Sequence, residues 1–165
     1  VNNMQTIFTY HSPLGKILLA SDERGLIGLW FATSKYYADI LNDEVKVGSD
    51  EYIKSAQKWL DQYFTGQKPD FIPQLHLIGT TFQKGVWQTL LQIPYGQTFT
   101  YKQVAQSVAK DPHHLPIRAV GGAIGRNHIS LMVLCHRVIG SNGNLTGYSA
   151  GIDKKVELLK LENIL

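Results

Sequence analysis

The chain has 165 residues, 44% hydrophobic and 18% charged, with one cysteine and a net charge of +3. This is ordinary globular composition, with length for one domain or two small ones around a real core. A single thiol excludes an internal disulfide framework and a zinc–thiolate cluster and suits a reducing, cytoplasmic setting, and the lack of a charged-then-apolar leader or a bilayer-length apolar run argues against a membrane partner.

Charge is uneven along the chain. Residues 1–78 carry 7 Lys/Arg against 9 Asp/Glu, a balance of −2, whereas residues 79–165 carry 9 against 4, a balance of +5. The second half is therefore the candidate partner of a polyanion, with a mildly basic solvated surface as the alternative.

In chain order, Met4–Tyr10, Lys16–Ala20 and Leu26–Phe31 read as strands of an antiparallel meander, with turns at Ser12-Pro13-Leu14-Gly15 and Asp22-Glu23-Arg24-Gly25. Ser49–Phe64 carries Tyr52, Ile53, Ala56, Leu60 and Phe64 near one helical face and stops at Thr65-Gly66. Residues 68–79, with two prolines, read as a linker with a little extended structure. The spacing of Phe82, Val86, Leu90 and Ile93 predicts a helix over Thr81–Ile93, stopped by Pro94-Tyr95-Gly96. Thr100 can cap a helix over Tyr101–Ala109, and Pro116 can open the first turn of another that runs to about Gly125. Two short helices joined by a turn, the second opening with a basic residue, resemble a helix-turn-helix. Ser130–Ile139 reads as a buried strand or extended segment, and Asp153–Leu161 as a final helix with Ile152, Val156, Leu159 and Leu158 toward the core.

The helix opened by Pro116 contains Gly121, Gly122 and Gly125. Each interior glycine costs about 0.5–1 kcal/mol relative to alanine, so something must offset that cost. Either the helix packs against another backbone of the same chain, or it must approach a partner that bulky residues would hold off. A DNA minor groove is one such partner, with Arg118 placed to enter the duplex.

The lone thiol, Cys135, is followed by His136 and Arg137. Most buried single cysteines are inert, and a thiol becomes a nucleophile only when a base, a cation or a helix N-terminus stabilises its thiolate. In an extended segment, neighbouring side chains face opposite ways, so a Cys135–His136 relay needs a bend or an intervening water. Glu162 is a candidate to orient His136, and Lys155 and Arg137 add positive charge. The six histidines are scattered and only His113-His114 are adjacent, so no metal is expected, and that pair is assigned to an exposed loop.

Together these motifs resemble the O6-alkylguanine-DNA alkyltransferases, or methylated-DNA–protein-cysteine methyltransferases, over nearly the whole chain. The most specific are Thr81-Phe82-Gln83, Val86-Trp87, Ile93-Pro94-Tyr95-Gly96 and Tyr101. Arg118-Ala119-Val120-Gly121-Gly122-Ala123 with Asn127 follows, then Cys135-His136-Arg137-Val138-Ile139-Gly140, then Leu145-Thr146-Gly147-Tyr148, Lys155, Leu158-Leu159 and Glu162. Ser12-Pro13-Leu14-Gly15, Gly25-Leu26 and Gly28-Leu29 fit the family's less specific first domain.

The resemblance implies an α+β chain. Residues 1–78 would form a small ribonuclease H-like domain, an antiparallel sheet with a helix, plus the linker. Residues 79–165 would form a mainly helical alkyltransferase and DNA-binding domain with a winged helix-turn-helix-like motif. It further implies that Cys135 accepts the alkyl group of O6-alkylguanine, and of O4-alkylthymine, in one irreversible displacement that spends the protein. His136 would deprotonate the thiol through a water, Glu162 would orient His136, and Tyr101 and Lys155 would assist proton delivery to the leaving base. Tyr148, Ser149 and Val138 would line the base pocket. Arg118, Ala119 and Gly121 would meet double-stranded DNA in the minor groove, Arg118 filling the gap left by the flipped nucleotide, with Asn127 as the hinge behind them. A monomer without cofactor is expected. No structural zinc is expected either, since zinc-binding members use cysteines that this chain lacks. Leu134 and His128 depart from the pattern, each standing where the family usually has proline. A non-repairing sensor of alkylated DNA and a cysteine hydrolase are the alternatives. The sensors lack the cysteine, and nothing here marks the oxyanion hole a hydrolase needs.

Overall fold

The computed structural model describes residues 4–35, 37–42, 44–133, 135–140, 148, 151–162 and 164. The meander forms as β1 (Gln5–Ser12), β2 (Gly15–Ser21) and β3 (Leu26–Phe31), each antiparallel to the next. Alternation sorts the side chains. Ile17, Leu19, Leu29 and Phe31 face the main core, while Leu18, Ala20 and Trp30 join Ile27 in a second cluster behind the sheet. Gly28 is needed there, because an added Cβ would fall 2.0 Å from the Trp30 ring folded over it. A short strand that the sequence did not show, β4 (Val45–Val47), pairs parallel with β1 and completes the order β3-β2-β1-β4.

Helix α1 (Glu51–Tyr63) crosses the sheet. Asp50 caps it by accepting from Ile53 N at 2.9 Å, and Gly66, at φ +84°, follows its end. It buries Ile53, Ala56, Trp59, Leu60 and Tyr63. The linker then returns along the outer edge of β3: Leu26 N donates to Gln74 O and His76 N to Leu26 O, both at 2.8 Å.

Three helices follow, α2 (Thr81–Leu90), α3 (Tyr101–Val108) and α4 (Ile117–Gly125). Thr80 and Thr100 each form a capping box, with Gln83 and Gln103. Pro116 occupies the cap position of α4, one residue before the first turn expected for it. Phe82, expected in the core from its spacing, is 37% exposed, and Trp87 takes the inner position beside Val86 and Leu90. His113 and His114 lie in an exposed loop, as expected.

Residues 130–139 are not an extended strand. The backbone turns through Ser130–Val133, enters a 3-10 turn at Cys135–Arg137, and only then forms β6 (Val138–Ile139), paired parallel with β5 (Phe99–Thr100). The reason is local satisfaction of the backbone. Asn127 Nδ2 reaches Ile129 O and Val133 O, and its Oδ1 accepts from Ile129 N, so one amide supplies what a strand partner would.

The last helix, α5 (Ile152–Leu161), buries a stripe of Lys155, Leu158 and Leu159 that continues into Glu162. Ile152, expected inside, is 50% exposed. Leu158 and Leu159 are inside as expected, and two charged residues, Lys155 and Glu162, share the inner positions with them. Among the described residues no helix is long and apolar enough to cross a membrane.

Candidate active site

Cys135 is held from three sides. The 3-10 turn places its sulfur in the interior, 3% exposed, where Asn127 Nδ2 donates to Sγ at 3.3 Å. Asn127 follows α4, and the segment after it docks on the free edge of β3: Leu29 N donates to His128 O at 2.8 Å and Ser130 N to Leu29 O at 3.0 Å. The end of α4 is thus tied both to the sheet and to the thiol. The β5–β6 pairing brings the start of α3, and Tyr101, beside the chain that leaves Cys135.

His136 and Glu162 meet directly. His136 Nε2 donates to Glu162 Oε2 at 2.5 Å with both side chains fully buried. An ionised carboxylate can only accept, so the proton lies on Nε2 and the lone pair on Nδ1. Nδ1 is buried and, among the described residues, without a hydrogen-bond partner. Among the described residues no hydrogen bond joins Cys135 to the His136 ring.

Two further donors complete the carboxylate. Tyr63 OH donates to Oε2 at 2.6 Å and Arg137 Nε to Oε1 at 2.5 Å, while Arg137 Nη1 also reaches Ile93 O at 3.1 Å. Burial alone would raise the Glu162 pKa, but His136, Arg137 and Tyr63 outweigh it and hold the group at about 2. Burial lowers His136 against the pull of Glu162, so the imidazole rests neutral. Burial pushes the Cys135 thiol up, opposed by the Asn127 amide, the Tyr148 hydroxyl and the Lys155 charge. The resting sulfur therefore carries its proton and needs a base to lose it.

Lys155 is fully buried and donates to Val138 O at 2.6 Å. Burial lowers its pKa to about 8, with the sulfur's negative form pulling the other way. The Tyr148 hydroxyl is buried and acts on the thiol, yet makes no hydrogen bond of normal geometry. Ser149 and Leu134 lie outside the described residues. His128 packs its ring edge against Trp87 at 5.4 Å. Its Nδ1 lies 3.3 Å from Asp39 Oδ1, but too far out of line for a hydrogen bond. Among the described residues no group of three His, Cys, Asp or Glu side chains could hold a metal ion.

The outer face of α4 resolves the two readings of its glycines. An added Cβ at Gly121, Gly122 or Gly125 would meet no atom within 4 Å. Internal packing therefore does not require them. Arg118 and Ala119 are exposed on this helix, and Val120, Ala123 and Ile124 face inward.

Comparison with known proteins adds the family. Residues 8–77 match the ribonuclease-like domain, and residues 81–164 the DNA binding domain, of 6-O-methylguanine DNA methyltransferase. The chain belongs to this family. The methylated-DNA–protein-cysteine methyltransferase of Methanosarcina barkeri is 46% identical over 151 residues, 92% of each chain. That of Mycobacterium leprae is 40% identical over 151 residues, 92% of this chain and 88% of the relative. The crystal structure of Mycobacterium tuberculosis OGT in complex with DNA superimposes with a TM-score of 0.83 at 37% identity, over 95% of this chain and 92% of that one. The α+β architecture is thus the methyltransferase fold.

Within this methyltransferase, the structure brings together Cys135, Asn127, His136, Glu162, Lys155, Val138 and Tyr148, and sets Arg118, Ala119 and Gly121 apart on α4. Two contacts were not legible in the sequence. Tyr63 lies 99 residues from Glu162, and the apolar spacing of α1 marks Phe64 for the inner face in its place. Arg137 reads as local positive charge, whereas it is buried in an ion pair.

Proposed function

We propose that this chain repairs DNA by taking the alkyl group from O6-alkylguanine, and from O4-alkylthymine, in duplex DNA onto Cys135. The observation that carries this reading is the buried His136–Glu162 pair, with the unpartnered Nδ1 adjacent in sequence to the lone thiol. His136 Nδ1 accepts the thiol proton through a water, while Glu162 fixes the tautomer and stabilises the imidazolium. The thiolate attacks the alkyl carbon in line. A carbon–sulfur bond forms, the carbon–O6 bond breaks, and its electron pair leaves with the base. Lys155 and Tyr101 assist protonation of that base. The product thioether is not readily hydrolysed, so each molecule reacts once.

The same proposal assigns the DNA and base contacts. Arg118, Ala119 and Gly121 meet the minor groove, and Arg118 occupies the space left as the damaged nucleotide turns out. Asn127 is the hinge that couples this helix to the thiol, and Tyr148, Ser149 and Val138 receive the base. The division into residues 1–78 and 79–165 follows the two matched regions. The protein acts as a monomer in the cytoplasm.

Mixing the protein with duplex DNA that carries O6-methylguanine tests the proposal by intact and peptide mass. The expected result is permanent gain of one methyl at Cys135 with one equivalent of DNA repaired. Tight binding without a mass change would instead identify a sensor, and multiple-turnover hydrolysis of an acyl substrate would identify a hydrolase.

A further inference from the structure

Tyr63 is the first domain's contribution to the buried site. It lies at the end of α1, 1% exposed, and its hydroxyl donates at 2.6 Å to Glu162 Oε2, the oxygen that also accepts from His136 Nε2. Its ring is fixed on both sides, stacked on Trp59 at 5.1 Å and 9° and set edge-on to Phe64 at 5.3 Å and 84°. The phenol thus cannot turn away without disturbing the core. Burial and the neighbouring carboxylate both raise its pKa well above the ordinary phenol value, so it remains a donor.

A donor on Oε2 competes with His136 for the same carboxylate charge. The more charge the phenol draws, the weaker the pull of Glu162 on the imidazole proton. Arg137 occupies the other oxygen, so it shares the charge without competing at the same atom. We propose that Tyr63 is a positioning residue for alkyl transfer: by sharing Glu162 Oε2 with His136 it sets the basicity of the imidazole that deprotonates Cys135, and so makes the first domain a working part of the site. The inference rests on the alkyl-transfer reading above.

The groups that bear on the carboxylate are Tyr63 from α1, His136 and Arg137 from the 3-10 turn, Tyr148 ahead of α5, and Tyr95 from the loop after α2, whose ring lies 5.2 Å from the Arg137 guanidinium. Lys155 bears on the imidazole from α5. Removing the phenol proton leaves the others in place and strengthens the bond between His136 and Glu162. The imidazole then holds a proton to higher pH and becomes available as a base later in the titration.

The test is the pH dependence of the single-turnover methyl-transfer rate at saturating O6-methylguanine duplex, with methyl gain at Cys135 read by mass. Tyr63→Phe should move the acidic limb up by about 0.5–1 pH unit. Site-specific 3-fluorotyrosine at position 63, a stronger donor with the same ring packing, should move the limb the opposite way. It keeps the test decisive if Tyr63→Phe folds poorly. A wild-type protein that reacts while the fluorinated protein keeps its limb overturns the inference alone. A wild-type protein that gains no methyl overturns the underlying reading and the inference with it.

Discussion

At the scale of single residues, the site separates an acid from a base by environment. Glu162 is held ionised by three donors, His136 is kept neutral by burial, and the thiol is kept protonated by burial. Lys155, with a pKa of about 8, is charged at neutral pH and loses that charge as pH rises through 8. If it supplies positive charge to the departing base, transfer should slow above about pH 8, and Lys155→Met, which removes the ionisation, should abolish that fall while lowering the plateau; rates across pH 7–10 check this. Arg118 is exposed in the first turn of α4. Arg118→Ala should therefore slow repair of duplex DNA while leaving reaction with free O6-methylguanine base unchanged. Equal losses on both substrates would refute its role in turning the nucleotide out.

At the scale of elements, α4 is built against its own helix propensity. With open space around Gly122, Gly122→Ala should stabilise the protein by about 0.5–1 kcal/mol in a denaturant titration. If this face of α4 enters the minor groove as proposed, Gly122→Leu should fold and lose duplex repair, as its Cβ meets no atom of the chain within 4 Å. The segment from Asn127 to Cys135 shows the reverse logic. It is apolar enough for a strand, yet the Asn127 amide satisfies its backbone and bends it. Asn127→Ala leaves Ile129 N without its acceptor and removes the second donor from Ile129 O and Val133 O, which keep Val133 N and Cys135 N, and should cost about 1–3 kcal/mol along with most of the transfer activity.

At the scale of the whole molecule, one core joins the sheet, α1 and the C-terminal helices, and the Tyr63–Glu162 contact lies within it. Because Glu162 titrates near 2 in the fold against an ordinary 4.5, its contribution is complete above about pH 4.5 and is lost as pH falls toward 2. That contribution is on the order of 3 kcal/mol, and Glu162→Gln should flatten the corresponding part of a stability-versus-pH curve. Alkylation should act on the same core. A group added to a sulfur that is 3% exposed overpacks its surroundings, so the spent protein should melt several degrees lower, and an unchanged Tm would count against this.

The sequence by itself determined the meander, the cap at Thr100, the helix stops and the motifs around Cys135, since each rests on neighbours within a few residues. On α5 it placed Leu158 and Leu159 inside correctly but put Ile152 there too, because Lys155 and Glu162 hold positions that apolar spacing reserves for hydrophobic residues. It left open whether the glycines of α4 serve internal packing. Only the tertiary structure decided that question, along with the bend at Cys135, the meeting of His136 with Glu162 and the reach of Tyr63 across 99 residues. Those features depend on which distant groups satisfy a buried donor or charge, and no local pattern along the chain encodes that.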